Sequence, residues 1–508
     1  MTTTTEPGTV QHLGTFGWAD PRELLIDAFN HRKARDDDDN STEPDPGLID
    51  SVMAIGVTTP LVVRPQGGMH HGRLGVVAGQ RRLKAAQLAA EYAIAAGDPV
   101  RLVPVLIRED LRAADDETLI SSLSENLYRA DPTGRDILDV AHQLALMPLG
   151  DEQRVRAART IGLTAADVAA APTAAKLTDR NLDEAVRADF DLIEMADLQS
   201  VETIPGAIST LFRAKMRDTK KGDGTRGHWA HTLTALKEQV SEAAVRERMI
   251  TELKAAGVRV IPLPNHWTGS PVRALSDLVT TLGNPLTEEA HVRCPGHAAA
   301  VSPTSAVMEL VCTDWKAAEH DLTDAAKQAG ATPKASEEAA EERRQVIRYN
   351  KAWRQARTVR RDFVTSLCAA SGDADDATWT LILSVITGTS YEYRRHTGST
   401  NAATLVAKFL GLADPNANAN GDHDRSKDPF GPTIATLPKS RRWSLLFAEV
   451  AAMFEDQVMH DAAWRAPSAS MLRWWDHLTA HGYTPHEIEA ELIEDLRRRL
   501  GPASKPKQ

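Results

Sequence analysis

Residues 74–86, LGVVAGQRRLKAA, constrain this chain more than any other stretch. Leu74, Val76 and Val77 form a short apolar run that reads as a buried strand. The run stops at Gly79, and an Ala-rich helix opens directly behind it. Arg81, Arg82 and Lys84 then fall in the first turn of that helix, where cations oppose the helix macrodipole. A strand, a glycine, free backbone N–H groups and clustered cations together make an anion pocket, most simply for phosphate. The blander reading of the same residues is a solvated basic helix start paired with nearby carboxylates.

A chain of 508 residues is too long for one hydrophobic core, and roughly two to four domains are expected. It contains no apolar run of 18 residues, which argues against a membrane span, and its Thr-rich start has neither the basic region nor the apolar core of a signal peptide. Three cysteines exclude a disulfide framework and point to a reducing cytoplasm. The net charge of −11 argues against coating nucleic acid by bulk electrostatics, so any DNA contact must come from a local basic patch. Only 5% of residues are aromatic while alanine is abundant, which favours a mostly helical protein.

Residues 1–17 read as a flexible tail, and the acidic run Asp36 to Asp39 as a polar loop. A helix is expected over about Pro46 to Ala54, ended by Gly56. Strands are expected at Val57 to Arg64, around Leu74 to Val77, and at Val103 to Ile107, with a helix through Leu119, Ile120 and Leu123 to Arg129. This alternation predicts a small α/β domain over 18–130. No Gly-x-x-x-x-Gly-Lys-Ser/Thr occurs, so a P-loop NTPase is excluded.

The ordered motifs are Asn30-His31-Arg32, then 56-GVTTPLVVR-64, 79-GQRRLKAA-86, Val103-Pro104-Val105 and 125-ENLYR-129. This series resembles the ParB N-terminal domain, a ParB/sulfiredoxin-like fold, over roughly residues 18–135. The resemblance implies a CTP switch. By motif, Gly79, Gln80, Arg81, Arg82 and Lys84 would hold the triphosphate, with Arg129 at the phosphate end and Gly56 and Pro60 shaping the loop beside the nucleotide. Asn126 would ligate Mg²⁺ and Glu125 would assist a slow CTP hydrolysis that serves switching rather than metabolism. Gln80 stands where many members have Glu, and Lys84 where many have Arg, departures that bear on turnover more than on binding.

Residues 131–255 read as a helical DNA-binding domain. Val155 to Thr160, a turn at Gly162, and Ala165 to Ala175 capped by Thr164 have helix–turn–helix spacing, and ParB proteins place that motif here. The second helix offers almost no Arg, Asn or Gln to read base edges, and Pro172 would kink or end it. Arg154, Arg156, Arg159, Thr164 and Lys176 are the candidate DNA contacts, holding phosphates rather than reading bases. The basic stretch Phe212 to Lys221 is a second candidate phosphate contact.

Residues 256–325 form a small mixed segment, in which Val258 to Leu263 is an expected strand. Cys294, His297, Cys312 and His320 follow, with two, fourteen and seven residues between successive members. They make a candidate Cys₂His₂ zinc site of the closed structural form, with His291 as a competing ligand. Cys368 reads as a core cysteine. Residues 326–500 are expected to form a helical dimerisation or partner-binding module with at least one of Trp474 and Trp475 in its core, and 501–508 a disordered tail.

The fold class expected is therefore α+β: a small ParB/sulfiredoxin-like α/β domain followed by mostly helical domains with a helix–turn–helix. The function expected is that of a ParB-like homodimeric protein of plasmid or chromosome partition. It would bind double-stranded DNA in the cytoplasm, associated with nucleoid or plasmid. CTP and Mg²⁺ would close it as a clamp, and a partition ATPase would be a further partner. A nuclease or ATP-dependent kinase of the same fold is one alternative. A helix–turn–helix transcription regulator with a relic nucleotide pocket is another.

Overall fold

Strand character concentrates where β-branched residues alternate, and in the computed structural model those runs become the centre of the first unit. The structure describes residues 14–28, 43–112, 117–118, 120, 133–147, 149–264, 270–331, 333–399, 402–417 and 428–500. The chain divides into two compact units, 1–202 and 203–508. The expected helical span 131–255 straddles that division.

The first unit opens with β1 (Thr15–Ala19), β2 (Leu25–Ile26), α1 (Pro46–Ile55), β3 (Leu61–Pro65), β4 (Leu74–Ala78), α2 (Gln80–Ala96) and β5 (Val103–Ile107). The strands form one mixed sheet in the order β1-β5-β3-β4-β2. β3 and β5 run parallel, whereas β3 and β4 are antiparallel with a register shift between Val62 and Val63. Leu61, Val63, Val76, Val103 and Val105 supply the sheet's share of the core, and Val52, Leu83 and Ala86 the helices' share. β1 takes in Thr15, Phe16 and Gly17, which were expected in the flexible tail. Its Phe16 and Trp18 are exposed, so backbone pairing to β5, not an apolar face, makes it a strand.

One buried ion pair fixes the far edge of this sheet. Arg64 Nε donates to Asp27 Oδ2 at 2.6 Å, and Gln66 Nε2 donates to the same oxygen at 2.6 Å. Arg64 Nη1 also reaches the Leu111 carbonyl at 3.2 Å. Gly75 lies against the cluster, where any Cβ would collide with Gln66 and Asp27.

Among the described residues five further helices follow in this unit: α3 (Gly134–Leu146), α4 (Asp151–Thr160), α5 (Ala165–Ala174), α6 (Asp179–Arg187) and α7 (Leu192–Gln199). The first three enclose a core of Val140, Leu144, Ala157, Ala158, Ile161 and Val168. Thr133 and Asp136 cap α3 reciprocally, which satisfies two of the N–H groups that a helix start leaves unpaired.

The second unit begins with α8 (Ala207–Lys221) and the long α9 (Gly227–Ala255). A four-stranded sheet follows, in the order β6 (Arg259–Pro262), β9 (His297–Val301), β10 (Met308–Cys312), β7 (Arg273–Ala274). β8 (Leu278–Val279) pairs with β11 (Asp321–Leu322), and α10 (Glu288–His291) precedes β9. Among the described residues the elements that follow are helical: α11 (Asp324–Ala331), α12 (Pro333–Ala369), α13 (Asp376–Gly388), α14 (Tyr391–Thr397), α15 (Ala402–Phe409), α16 (Gly431–Thr436), α17 (Arg442–Met453), α18 (Ala469–Ala480) and α19 (Glu487–Leu500).

Charge as well as apolar packing organises these last helices. Arg360 of α12 is fully buried and donates to Glu455 Oε1 at 2.6 Å and Oε2 at 3.0 Å, and also to Glu489. Glu455 lies in a π-helical turn, Phe454–Val458, that continues α17. Trp474 Nε1 donates to Glu455 at 2.8 Å, Trp475 Nε1 to Glu489 at 3.0 Å, and the Tyr483 hydroxyl to Glu489 at 2.6 Å. Both tryptophans and Cys368 are buried in the apolar core around this network. Burial opposes ionisation of Glu489, but Arg360 and the Tyr483 hydroxyl outweigh it and hold the carboxyl below its usual value.

Removing one partner of such a network leaves an uncompensated buried charge, which costs roughly 3–5 kcal/mol. Glu489→Ala should therefore lower the denaturant midpoint of the second unit strongly, and a variant with an unchanged midpoint would contradict the network's role. His477 gives a pH dependence. Burial first, then His481, lowers its pKa to about 4 from an ordinary value of 6.5. Between those values the unfolded chain binds the extra proton, so stability present above pH 6.5 should fall as pH drops toward 4. Urea titrations at pH 7 and 5 should show that loss, and it should shrink in His477→Phe.

Candidate nucleotide site and nucleic-acid interface

The local chemistry of Gly79 sets the geometry of the anion pocket expected from sequence. Gly79 sits at φ +104°, in the left-handed region, as N-cap of α2 with no side-chain cap. A Cβ there would lie 2.7 Å from Leu61 Cδ2, so both backbone and packing demand glycine. The first turn of α2 carries no acidic residue. Its N–H groups and its cations therefore face the same way in charge, and together they favour an anion.

Arg82 joins this helix start to the loop before β3. Its Nη1 donates to the Thr59 carbonyl at 2.8 Å and to the Pro60 carbonyl at 3.1 Å. The two motifs read separately in the sequence, around Pro60 and around Gly79, thus meet through one guanidinium. Gly56 ends α1 at φ +80°. Gln80 is buried, and its Oε1 has no hydrogen-bond partner. A buried acceptor of this kind calls for a missing donor or ligand.

The other two cations are paired with carboxylates. Arg81 Nη2 lies 2.7 Å from Asp45 Oδ2 and its Nε donates to the Glu43 carbonyl at 3.1 Å, while Lys84 Nζ lies 2.5 Å from Glu43 Oε1. Asp45 serves twice, since its Oδ1 accepts the Leu48 N–H at 2.8 Å and caps α1. Sequence reasoning missed Glu43 and Asp45 as partners. The signal was there in Asp45-Pro46, an N-cap followed by proline at the first helical position. Both carboxylates are more than half exposed. Exposed pairs contribute only about 0–1 kcal/mol each, so these two cations are weakly held.

Glu125, Asn126 and Arg129 lie outside the described residues. A groove of about 360 Å³ opens beside α1 and α2, lined by Gly56, Val57, Ala86, Ala90, Arg101 and Val103 among others. It shares Gly56 with the expected site but none of the residues Gly79 to Lys84.

The helix–turn–helix forms where its spacing places it, with α4, a turn at Gly162 (φ +75°), and α5. Thr164 and Asp167 cap α5 reciprocally: the Thr164 hydroxyl donates to Asp167 Oδ2 at 2.7 Å and accepts the Asp167 N–H at 3.1 Å. Thr164 is thus engaged within the protein, and the carboxylate beside it repels phosphate at this helix start. Arg154 is likewise turned inward, donating to the Leu149 carbonyl at 2.9 Å and the Met147 carbonyl at 3.3 Å. Arg156, Arg159 and Lys176 are exposed, whereas the exposed positions of α5, Ala165, Ala166 and Ala169, present only methyl groups. On α8, Arg217 pairs with Glu487 at 3.3 Å and Lys221 with Asp223 at 2.7 Å.

In the second unit the structure gathers His291, Cys294, Cys312 and His320, whose donor atoms all lie within 4.8 Å of one another. His297, expected as a ligand from its spacing, stands outside this set and His291 takes its place. His297 begins β9 and its Nδ1 lies 3.0 Å from Nδ1 of His291, while His291 ends α10 and is fully buried.

Residues 21–127 match the family model of the ParB N-terminal domain. The chain is similar to the C-terminally truncated chromosome-partitioning protein ParB of Caulobacter crescentus complexed with CTP-γ-S. Identity is 23%, covering 39% of this chain and 97% of that one, with a TM-score of 0.18. It is also similar to C-terminally truncated ParB of the same organism complexed to the centromeric parS site. There identity is 21%, covering 42% and 97% of the two chains, with a TM-score of 0.25. None of the curated proteins compared with the chain matches it. Among the described residues, no helix is long and apolar enough to cross a membrane.

Gly79→Ala should strain the backbone and press on Leu61, at a cost of about 1–3 kcal/mol. A thermal melt of the first unit's signal in the full chain would show the fall in midpoint. An unchanged midpoint would mean that the turn is not held as described.

Proposed function

We propose that this chain, whose residues 21–127 are a ParB N-terminal domain, is a DNA-binding partition protein switched by CTP and Mg²⁺. The observation that carries the reading is the junction at Gly79. There the Arg82 clamp on the Thr59 and Pro60 carbonyls brings both nucleotide motifs to one uncapped helix start. The buried Gln80 oxygen without a partner fits a site that a ligand completes. A triphosphate would take Arg81 and Lys84 from Asp45 and Glu43, exchanging weak exposed pairs for charge-assisted bonds to phosphate. Asn126 would hold Mg²⁺, Glu125 would support slow hydrolysis, and Arg129 would steady the phosphate end. Mg²⁺ when bound offsets charge on the phosphate oxygens.

The exchange frees segment 43–45, which also caps α1 through Asp45. Nucleotide occupancy is thereby linked to the placing of α1, a physical route from ligand to conformation. The conformational outcome we propose is closure of a homodimer around DNA, with a partition ATPase as a further partner in the cytoplasm. DNA would be held by phosphate contacts from Arg156, Arg159 and Lys176, and the methyl-only face of α5 makes this grip weakly selective.

The test is a nucleotide-binding panel with Mg²⁺ on the intact protein. CTP should bind more tightly than ATP, with Arg81→Ala weakening it at least about tenfold, the loss of one charge-assisted bond. Glu43→Gln should strengthen it several-fold by removing a competitor for Lys84. Preference for ATP, or no nucleotide binding, would overturn the reading. For DNA, Arg156→Ala should lower the slope of log K against log salt by about 1 without changing sequence preference.

A further inference from the structure

We propose that His291, Cys294, Cys312 and His320 form a closed, four-coordinate structural zinc site, with His297 supporting the His291 ring from outside it. The donor atoms of the four residues lie within 4.8 Å of one another, and Cys294 Sγ is 3.7 Å from His320 Nε2. Tetrahedral zinc with bonds of about 2.0–2.3 Å separates its ligands by roughly 3.3–3.8 Å. The Cys294–His320 separation falls in that range.

His291 supplies an independent observation. It is fully buried, and its Nε2 has no hydrogen-bond partner. Its Nδ1 lies 3.0 Å from Nδ1 of His297. One ring nitrogen held by a neighbour and the other left bare inside the protein is the arrangement of a metal-ligating histidine. Gly296 completes the cradle. Its N–H approaches Cys294 Sγ at 3.4 Å, and a Cβ on it would lie 2.6 Å from Cys312 Sγ.

The chemistry of the donors selects the metal. Two sulfurs and two imidazoles suit zinc and exclude Mg²⁺ and Ca²⁺, which take oxygen. On binding, two thiols release two protons, and the two thiolates balance the charge of Zn²⁺, leaving a neutral centre suited to a buried place. Four protein ligands leave no open position, so the site holds structure rather than substrate. It has structure to hold. The apolar core here is small, with Leu275, Leu278, Leu286 and Cys312 as its buried members, and lobes of this size are commonly stapled. His291 and Cys294 precede β9, Cys312 ends β10 and His320 follows it, so the metal would tie the two strands together at the open end of that hairpin.

The experiment measures metal in the full chain, purified under reducing conditions without added zinc, and then records the spectrum after Co²⁺ exchange. One zinc per chain, with the d–d bands and thiolate charge transfer of tetrahedral cobalt, is expected. His291→Ala should abolish stoichiometric metal, whereas His297→Ala should keep it with affinity reduced about 10–100-fold. Metal kept in His291→Ala but lost in His297→Ala would overturn this ligand set. No zinc and no cobalt spectrum in the reduced wild-type chain would overturn the site, as would a Cys294–Cys312 disulfide in freshly prepared protein. The wild-type spectrum does not depend on any variant folding.

Discussion

Competition between carboxylates and a polyanion for the cations at the start of α2 is the constraint on which the proposed switch depends. Arg81, Arg82 and Lys84 in the opening turns of α2 oppose its macrodipole, a cost that anionic company offsets. In the structure that company is Asp45 and Glu43, each exposed and weakly held. The same Asp45 carboxylate caps α1, so the partner of Arg81 and the start of a neighbouring helix cannot change independently. Arg82 differs from its neighbours, because two backbone carbonyls fix its guanidinium and with it the loop at Pro60.

The second unit handles charge in the opposite way. Arg360, Glu455 and Glu489 are fully buried, and the two carboxylates that accept from Arg360 also accept from tryptophan, tyrosine and a backbone N–H. A buried charge set of this kind holds one arrangement, since breaking any member strands the others in a medium that solvates them poorly. The π-helical turn that carries Glu455 fits this account, as such turns re-aim side chains within an otherwise regular helix. The weak exposed pairs of the first unit suit exchange, and the saturated buried set suits permanence.

The helix–turn–helix belongs to neither extreme. Its core is apolar and its caps are complete, yet the exposed positions of its second helix present methyl groups. Arg154 turns inward and Thr164 caps α5, so both of these expected contacts are engaged within the protein. What remains is a short exposed cationic set that can position DNA, and a helix with little means to read it.

The sequence by itself determined the strand–glycine–helix junction, because Gly79 stands between an apolar run and an Ala-rich helix and few backbones satisfy both. It determined the helix–turn–helix as well, through Gly162 in the turn and Thr164 at the cap. The motif order over residues 18–135 made the domain legible, and the family match at 21–127 agrees with it. Tertiary structure alone decided which groups meet. β1 shows no buried apolar periodicity, so only its pairing with β5 makes it a strand. The Asp27–Arg64 pair joins residues 37 positions apart, beyond the reach of any local pattern. Spacing chose His297 as a metal ligand, but the four donors that lie together are those of His291, Cys294, Cys312 and His320, with His297 against the His291 ring. Spacing along a chain fixes what can be near. Burial and strand register fix what is near, because they are set by contacts between residues far apart in sequence.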